Sequence, residues 1–257
     1  MELIDTHCHL SFKQLQRDIA ELIARSEEAG VRYWVTVGTD NLQNKESLEL
    51  CERFENVYAA VGIHPHYAGD VKESDLKLLA EFAEHEKVVA VGETGFDLYY
   101  NYSQAGAQEW VFKEHLKLAA RLNLPVVVHC REAFEQTIAI LDNFGKGGGK
   151  IVFHCFSGDA RQARVLIDKG YFVSFTGLVT FKNAGAVREA AEAVPVSRLM
   201  VESDCPYMSP EPMRKQKVNE PALLIHTAAK LAELKAVSPE TFAEKVTGTS
   251  KSFFGIK

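Results

Sequence analysis

The stretch QAGAQEWVFKEHLKLAARLNLPVVVH, residues Gln104–His129, contains one full structural unit of the chain. Gln104–Leu122 is amphipathic and predicts a helix, and Leu122-Asn123 supplies its stop. Leu124–His129 is an apolar, β-branched run and predicts a strand. Its only ionisable group, His129, stands at the C-terminal end. A strand that is apolar throughout belongs in a parallel sheet covered on both faces.

The same unit recurs along the whole chain. Strand-like runs occupy Glu2–Asp5, Arg32–Val37, Val57–Gly62, Val88–Gly92, Leu124–His129, Lys150–His154, Tyr171–Phe175 and Arg198–Glu202. Their centres are about 28 residues apart, the length of a strand plus a crossover helix. Amphipathic stretches Arg17–Ala29, Leu42–Phe54, Ser74–His85, Ala133–Phe144 and Ala160–Lys169 lie between them. Ala222–Lys235 and Pro239–Phe254 follow the last run, and Ala29-Gly30 and Lys169-Gly170 are further helix stops. Eight successive units predict an α/β protein with a (β/α)8 TIM-barrel fold, one domain over residues 1–257. A doubly wound open sheet is the alternative. Gly145-Lys-Gly-Gly-Gly149 reads as a helix-to-strand connection.

Composition narrows the function. The chain has 257 residues with 29 Lys+Arg against 35 Asp+Glu, a net charge of −6, which excludes broad sequence-independent coating of nucleic acid. A local site where bound metal supplies the positive charge stays open. No run approaches the roughly 18 apolar residues of a membrane span. Glu2 stands where a signal peptide carries Lys or Arg. The five cysteines are an odd number without disulfide-framework or zinc-finger spacing. The expectation is a reduced, cytoplasmic protein with no membrane association and no obligate protein partner.

Residues able to bind metal gather at the C-terminal ends of the runs. Asp5-Thr-His7-Cys-His9 closes the first, His64-Pro-His66 the third, Gly92-Glu93 the fourth, His129 the fifth and His154 the sixth, while Asp204 follows the eighth. Barrel active sites lie at that end, and residues two apart on a strand, such as His7 and His9, share a face. Four imidazoles and two carboxylates suffice for two divalent ions bridged by a carboxylate. Asp204 is then the natural proton acceptor beside an activated water. Glu202 is expected to orient a ligand.

These motifs, with Gly-Glu93-Thr-Gly-Phe-Asp97, Pro-Val-Val-Val-His129-Cys-Arg131-Glu-Ala, Phe-His154-Cys-Phe-Ser-Gly158 and Glu202-Ser-Asp204-Cys-Pro206-Tyr, resemble the TatD family of metal-dependent deoxyribonucleases, from residue 2 to about residue 254. The resemblance implies a barrel in which His7, His9, Glu93 and Asp204 hold one metal and Glu93, His129 and His154 the other. It also implies catalytic roles for Glu93 and Asp204, Mg²⁺ as the active ion with Zn²⁺ or Mn²⁺ as alternatives, and hydrolysis of DNA phosphodiesters, often from the 3′ end. Single-stranded or frayed ends are the expected substrate.

Candidate substrate contacts are His66, Arg131, Lys215, Lys217 and Asn219. For His66 a turn role around Pro65 is the alternative, for Arg131 a structural ion pair, and for the Arg214–Lys217 cluster a solvated loop. The family phrase Arg-Gly-Lys-Arg-Asn-Glu-Pro reads here Lys215-Gln-Lys217-Val-Asn219-Glu220-Pro221, and Thr249 replaces a family Asn. An ester or amide hydrolase, such as a D-aminoacyl-tRNA deacylase, is the alternative function. Cys8, Cys130, Cys155 and Cys205 each follow a proposed ligand, so they are expected to face the helical shell as small apolar fillers.

Overall fold

Each apolar run forms a strand: β1 (Leu3–Cys8), β2 (Val31–Val37), β3 (Val57–Val61), β4 (Val88–Asp97), β5 (Val126–Arg131), β6 (Ile151–Phe153), β7 (Phe172–Phe175) and β8 (Leu199–Val201). The computed structural model describes residues 2–100, 102–144 and 150–257, so the Gly145–Gly149 connection lies outside the described residues. The helices are α1 (Lys13–Gln16), α2 (Ile19–Ala29), α3 (Asn41–Arg53), α4 (Glu73–Phe82), α5 (Ala105–Leu122), α6 (Phe134–Phe144), α7 (Ala160–Asp168), α8 (Gly185–Ala193), α9 (Leu224–Leu234) and α10 (Pro239–Phe254). The predicted stops hold: Gly30, Asn123 and Gly170 sit at φ of 102°, 54° and 82°. Helix α8 has no counterpart in the sequence reading. Its buried face is Val187, Ala190 and Ala191.

The eight-stranded sheet follows chain order from β1 to β8 with parallel pairing, a (β/α)8 TIM barrel. Two compact units divide the chain, one running to Thr36 and resuming at Cys155–Lys257, the other Val37–His154. In the first, β1 lies between β2 and the end of β8, where the Asp204 N–H donates to the His7 carbonyl (2.9 Å) and the His9 N–H to the Cys205 carbonyl (2.9 Å). Helix α10 packs on β1 and β8. In the second, β3 to β6 run parallel and α5 packs on β4.

Among the irregularities in strand pairing, two bear on the candidate donors. On β1, Asp5 and Cys8 pair with Trp34 and Thr36, so one extra residue is fitted in around Thr6–His7. On β4, Val91 and Thr94 pair with Val126 and Val128, so an extra residue is fitted in at Gly92–Glu93. Bulges of this kind re-aim a side chain. Gly92 and Gly95 make the second one possible, at φ of 139° and 134°. A Cβ on Gly92 would stand 2.5 Å from the Val127 carbonyl oxygen, and one on Gly95 would collide with that of His129. Strand β4 therefore continues to Asp97, five residues beyond the predicted end at Gly92.

Candidate metal centre

The first unit carries one set of donors. His7, in the bulge of β1, and His9, just past its end, bring their Nε2 atoms to 3.3 Å of each other. Asp204 Oδ1 lies 3.9 Å from His7 Nε2 and 3.6 Å from His9 Nε2. All three side chains are buried, with ligand atoms close enough to hold one ion. Asp204 reaches them from a turn after β8 at φ of 52°, a left-handed conformation that Asp tolerates better than most residues. Asp5 lies deeper and accepts from the Ser203 N–H (2.9 Å) and the His7 N–H (3.4 Å). Burial pushes its carboxyl up to about 7 against the pull of those hydrogen bonds.

The second unit carries another set. Glu93 Oε2 lies 2.7 Å from His154 Nε2, 3.3 Å from His129 Nδ1 and 3.9 Å from His64 Nε2. His129 Nδ1 is 3.1 Å from His154 Nε2. On its far side, His129 Nε2 is 3.2 Å from Asp97 Oδ2. Asp97 thus holds the Nε2 end of the ring and leaves Nδ1 turned toward Glu93 and His154, the arrangement by which a carboxylate orients a ligating histidine. Burial alone would raise the Asp97 carboxyl. Hydrogen bonds from His129, the Tyr100 backbone and His66 instead hold it well below the usual range. Burial likewise lowers His129, but Asp97 and Glu93 draw positive charge onto it and carry it above its ordinary value.

His64 plays a different part. Its Nδ1 accepts from the His66 N–H (3.0 Å) and caps the short turn Pro65–Asp70. Burial holds the ring neutral, so its proton sits on Nε2, facing Glu93. That tautomer suits hydrogen-bond donation to an oxygen better than ligation. His66 Nε2 lies 2.9 Å from Asp97 Oδ2 and its ring meets Tyr100 and Tyr102 edge-on. Asp97 has no role assigned from sequence alone; in the structure its Oδ1 accepts the backbone N–H groups of Tyr99 and Tyr100.

The remaining expectations divide. Lys215 and Lys217 are exposed, and the Arg131 guanidinium stacks on Tyr99 at 4.0 Å. Asn219 is buried, and its amide nitrogen donates to the Ser203 and Tyr207 carbonyls (2.8 and 2.6 Å), which ties the Asp204 turn together. Glu202 accepts from the Cys155 N–H at 2.5 Å. The Cys8 thiol meets the Val35 carbonyl of the neighbouring strand β2, and Cys130 faces outward as expected, toward Thr137 of α6. Cys155 does not. Its thiol, pushed well up by burial and then by the negative charges of Asp204 and Glu202, lies on the site side. Cys155 follows the end of β6 at φ of 44°, so strand alternation no longer applies to it. All five cysteines are free.

Two sets that mix imidazole with carboxylate, the first buried and the second buried except for a half-buried His129, suit divalent cations: neutral imidazole and carboxylate are hard-to-borderline donors, and each set brings at least one negative charge to offset the ion. The description TatD related DNase matches the chain over residues 4–255. The chain belongs to the TatD-related DNase family. With that family it is a metal-dependent hydrolase. A TatD-family relative from Bacillus subtilis, the uncharacterized metal-dependent hydrolase YabD, is 38% identical over 99% of both chains. The 3′-5′ ssDNA/RNA exonuclease TatD of Pantoea ananatis is 34% identical over 99% of this chain and 100% of its own. The crystal structure of YJJV, a TatD homolog from Escherichia coli K12, superimposes with a TM-score of 0.93 at 30% identity, covering 99% of this chain and 98% of that one.

Proposed function

We propose that this chain, as one hydrolase domain over residues 1–257, removes nucleotides from the 3′ end of single-stranded or frayed DNA by cleaving phosphodiester, that is ester, bonds. The observation that carries the reading is the pair of imidazole–carboxylate sets, His7, His9 and Asp204 in one and Glu93, His129 and His154 in the other, in a chain 34% identical, end to end, to a 3′-5′ ssDNA/RNA exonuclease. Two divalent ions serve the reaction, Mg²⁺ for activity. His7, His9 and Asp204 would hold one ion and His129 and His154 the other, with Glu93 the carboxylate that the TatD resemblance assigns to both. Bound ions supply Lewis-acid chemistry, easing deprotonation of water and offsetting charge on the phosphoryl oxygens.

The residues of the chain do the rest. Asp204 accepts the proton of the attacking water. His64, protonated on Nε2, presents that N–H to substrate oxygens, while His66 gives its own Nε2–H to Asp97 and meets the substrate with the rest of its ring. Arg131, Lys215 and Lys217 meet backbone phosphates. Among the described residues no helix is long and apolar enough to cross a membrane, and five free cysteines suit a reducing cytoplasm.

End-labelled single-stranded DNA and D-aminoacyl-tRNA, each incubated with the purified chain and Mg²⁺, Mn²⁺, Zn²⁺ or chelator, test this reading. Shortening of the DNA from its 3′ end with Mg²⁺, abolished by chelator, is expected. Intact DNA together with release of the D-amino acid overturns it in favour of a deacylase.

A further inference from the structure

Beyond β4 the chain places three tyrosines within four positions, and none of them is in the core. Tyr99 is 53% exposed, Tyr100 39% and Tyr102 68%. Scattered exposed aromatics are ordinary on a protein surface, but these three are organised. Tyr100 and Tyr102 lie nearly parallel, 17° apart with centroids 5.4 Å apart, and Tyr99 meets Tyr100 at a right angle, 4.8 Å away. The Arg131 guanidinium covers both Tyr99 (4.0 Å) and Tyr100 (4.8 Å). No carboxylate pairs with Arg131 among the described residues, so its N–H fork is available to an anion.

The cluster is connected to the metal donors of the same unit. Asp97 Oδ1 accepts the N–H groups of Tyr99 (3.0 Å) and Tyr100 (2.9 Å), while its Oδ2 meets His129 and His66. The His66 ring touches Tyr102 at 4.8 Å and Tyr100 at 5.5 Å. Arg131 stands opposite Asp97 in the β4–β5 register, two residues beyond His129. A path of contacts therefore runs from a metal donor to an exposed aromatic surface with a cation on it.

We propose that Tyr99, Tyr100 and Tyr102, with Arg131, form a stacking platform for an unpaired nucleobase of the substrate strand, Arg131 taking the adjoining phosphate. The proposal rests on the nuclease reading above and deepens it. Aromatic faces accept any base, so the platform tolerates sequence. A base inside a duplex has both faces covered by its neighbours, so only single strands and frayed ends can use it. Strand selectivity then resides in the segment after β4, apart from the ions.

The test measures binding of a labelled oligothymidylate and of an abasic strand of equal length to the full chain in chelator. Both strands carry the same phosphates and differ only in bases. The wild-type chain should prefer the base-bearing strand by roughly 5- to 100-fold for each stacked base. Tyr102→Ala and Tyr99→Ala should erase most of that preference, whereas Tyr102→Trp keeps it. Arg131→Gln should weaken both strands alike. Equal binding of the two strands by a wild-type chain that degrades DNA with Mg²⁺ overturns the platform alone, as does a preference unchanged in the doubly substituted Tyr99→Ala, Tyr102→Ala chain. A wild-type chain that neither binds nor degrades DNA overturns the nuclease reading and the platform with it.

Discussion

Asp97 Oδ2 lies 3.2 Å from Nε2 of His129, whose other nitrogen lies 3.3 Å from Glu93 Oε2. One carboxylate thus decides which ring nitrogen of His129 faces the donor set. Asp97→Asn keeps the Oδ1 acceptor that folds the Tyr99–Tyr100 turn but removes the charge behind the ring. Metal affinity should fall about 10- to 100-fold with little loss of melting temperature. Competition with a calibrated chelator measures it, and an unchanged affinity would remove the orienting role.

Glu93 and Asp204 should respond differently to the same chemical change. Glu93→Gln takes away a negative charge proposed to serve two dications, so metal content should drop along with activity. Asp204→Asn should retain an ion on Glu93, His129 and His154 while losing the proton acceptor. Metal analysis of both purified variants decides between them. Two ions per chain and near-normal nuclease activity in Glu93→Gln would be incompatible with bridging.

Lys215 and Lys217 are exposed and carry no metal-ligating chemistry. Replacing both by Ala should raise KM for DNA and leave kcat nearly unchanged. The slope of log affinity against log salt should flatten by about one unit per lost phosphate contact. An unaltered KM and slope would make the loop a solvated surface.

His115 on α5 governs an acid limb of stability. Its Nε2 accepts from the Ile63 N–H (2.9 Å) and its Nδ1 donates to the Val111 carbonyl (2.8 Å), so the buried ring is neutral. Burial lowers it from 6.5 to about 4. Between those values the unfolded chain binds a proton that the folded one refuses, so stability is full above pH 6.5 and falls as pH drops toward 4. The loss is on the order of 3 kcal/mol. Denaturant titrations across that window check it: the acid limb should shrink in His115→Gln, and a limb of equal size there would assign it to other groups.

Asn219 ties the Asp204 turn to its neighbours through the Ser203 and Tyr207 carbonyls. Asn219→Ala leaves two carbonyls without their donor and should cost about 1–3 kcal/mol in unfolding free energy. A variant as stable as wild type but weakened in DNA binding would return Asn219 to the substrate contacts.

The order of elements and the barrel are legible in the amino-acid pattern, because both rest on local periodicities. Runs such as Leu124–His129 and helix stops such as Gly30, Asn123 and Gly170 need no distant partner to be read. The amino-acid pattern also placed the six donors at strand ends, since parallel strands in a barrel put those ends on one side. Tertiary structure alone decided how the donors are aimed. His7 and Glu93 sit in bulges created by pairing with neighbouring strands, and strict alternation along β1 or β4 does not contain them. The tautomer of His64 depends on the His66 backbone, and the orientation of the His129 ring on Asp97. Asn219 and Lys217 look alike as polar loop residues, yet one is buried and committed while the other is exposed. Burial and hydrogen-bond partners arise from residues distant in the chain, so no local period encodes them.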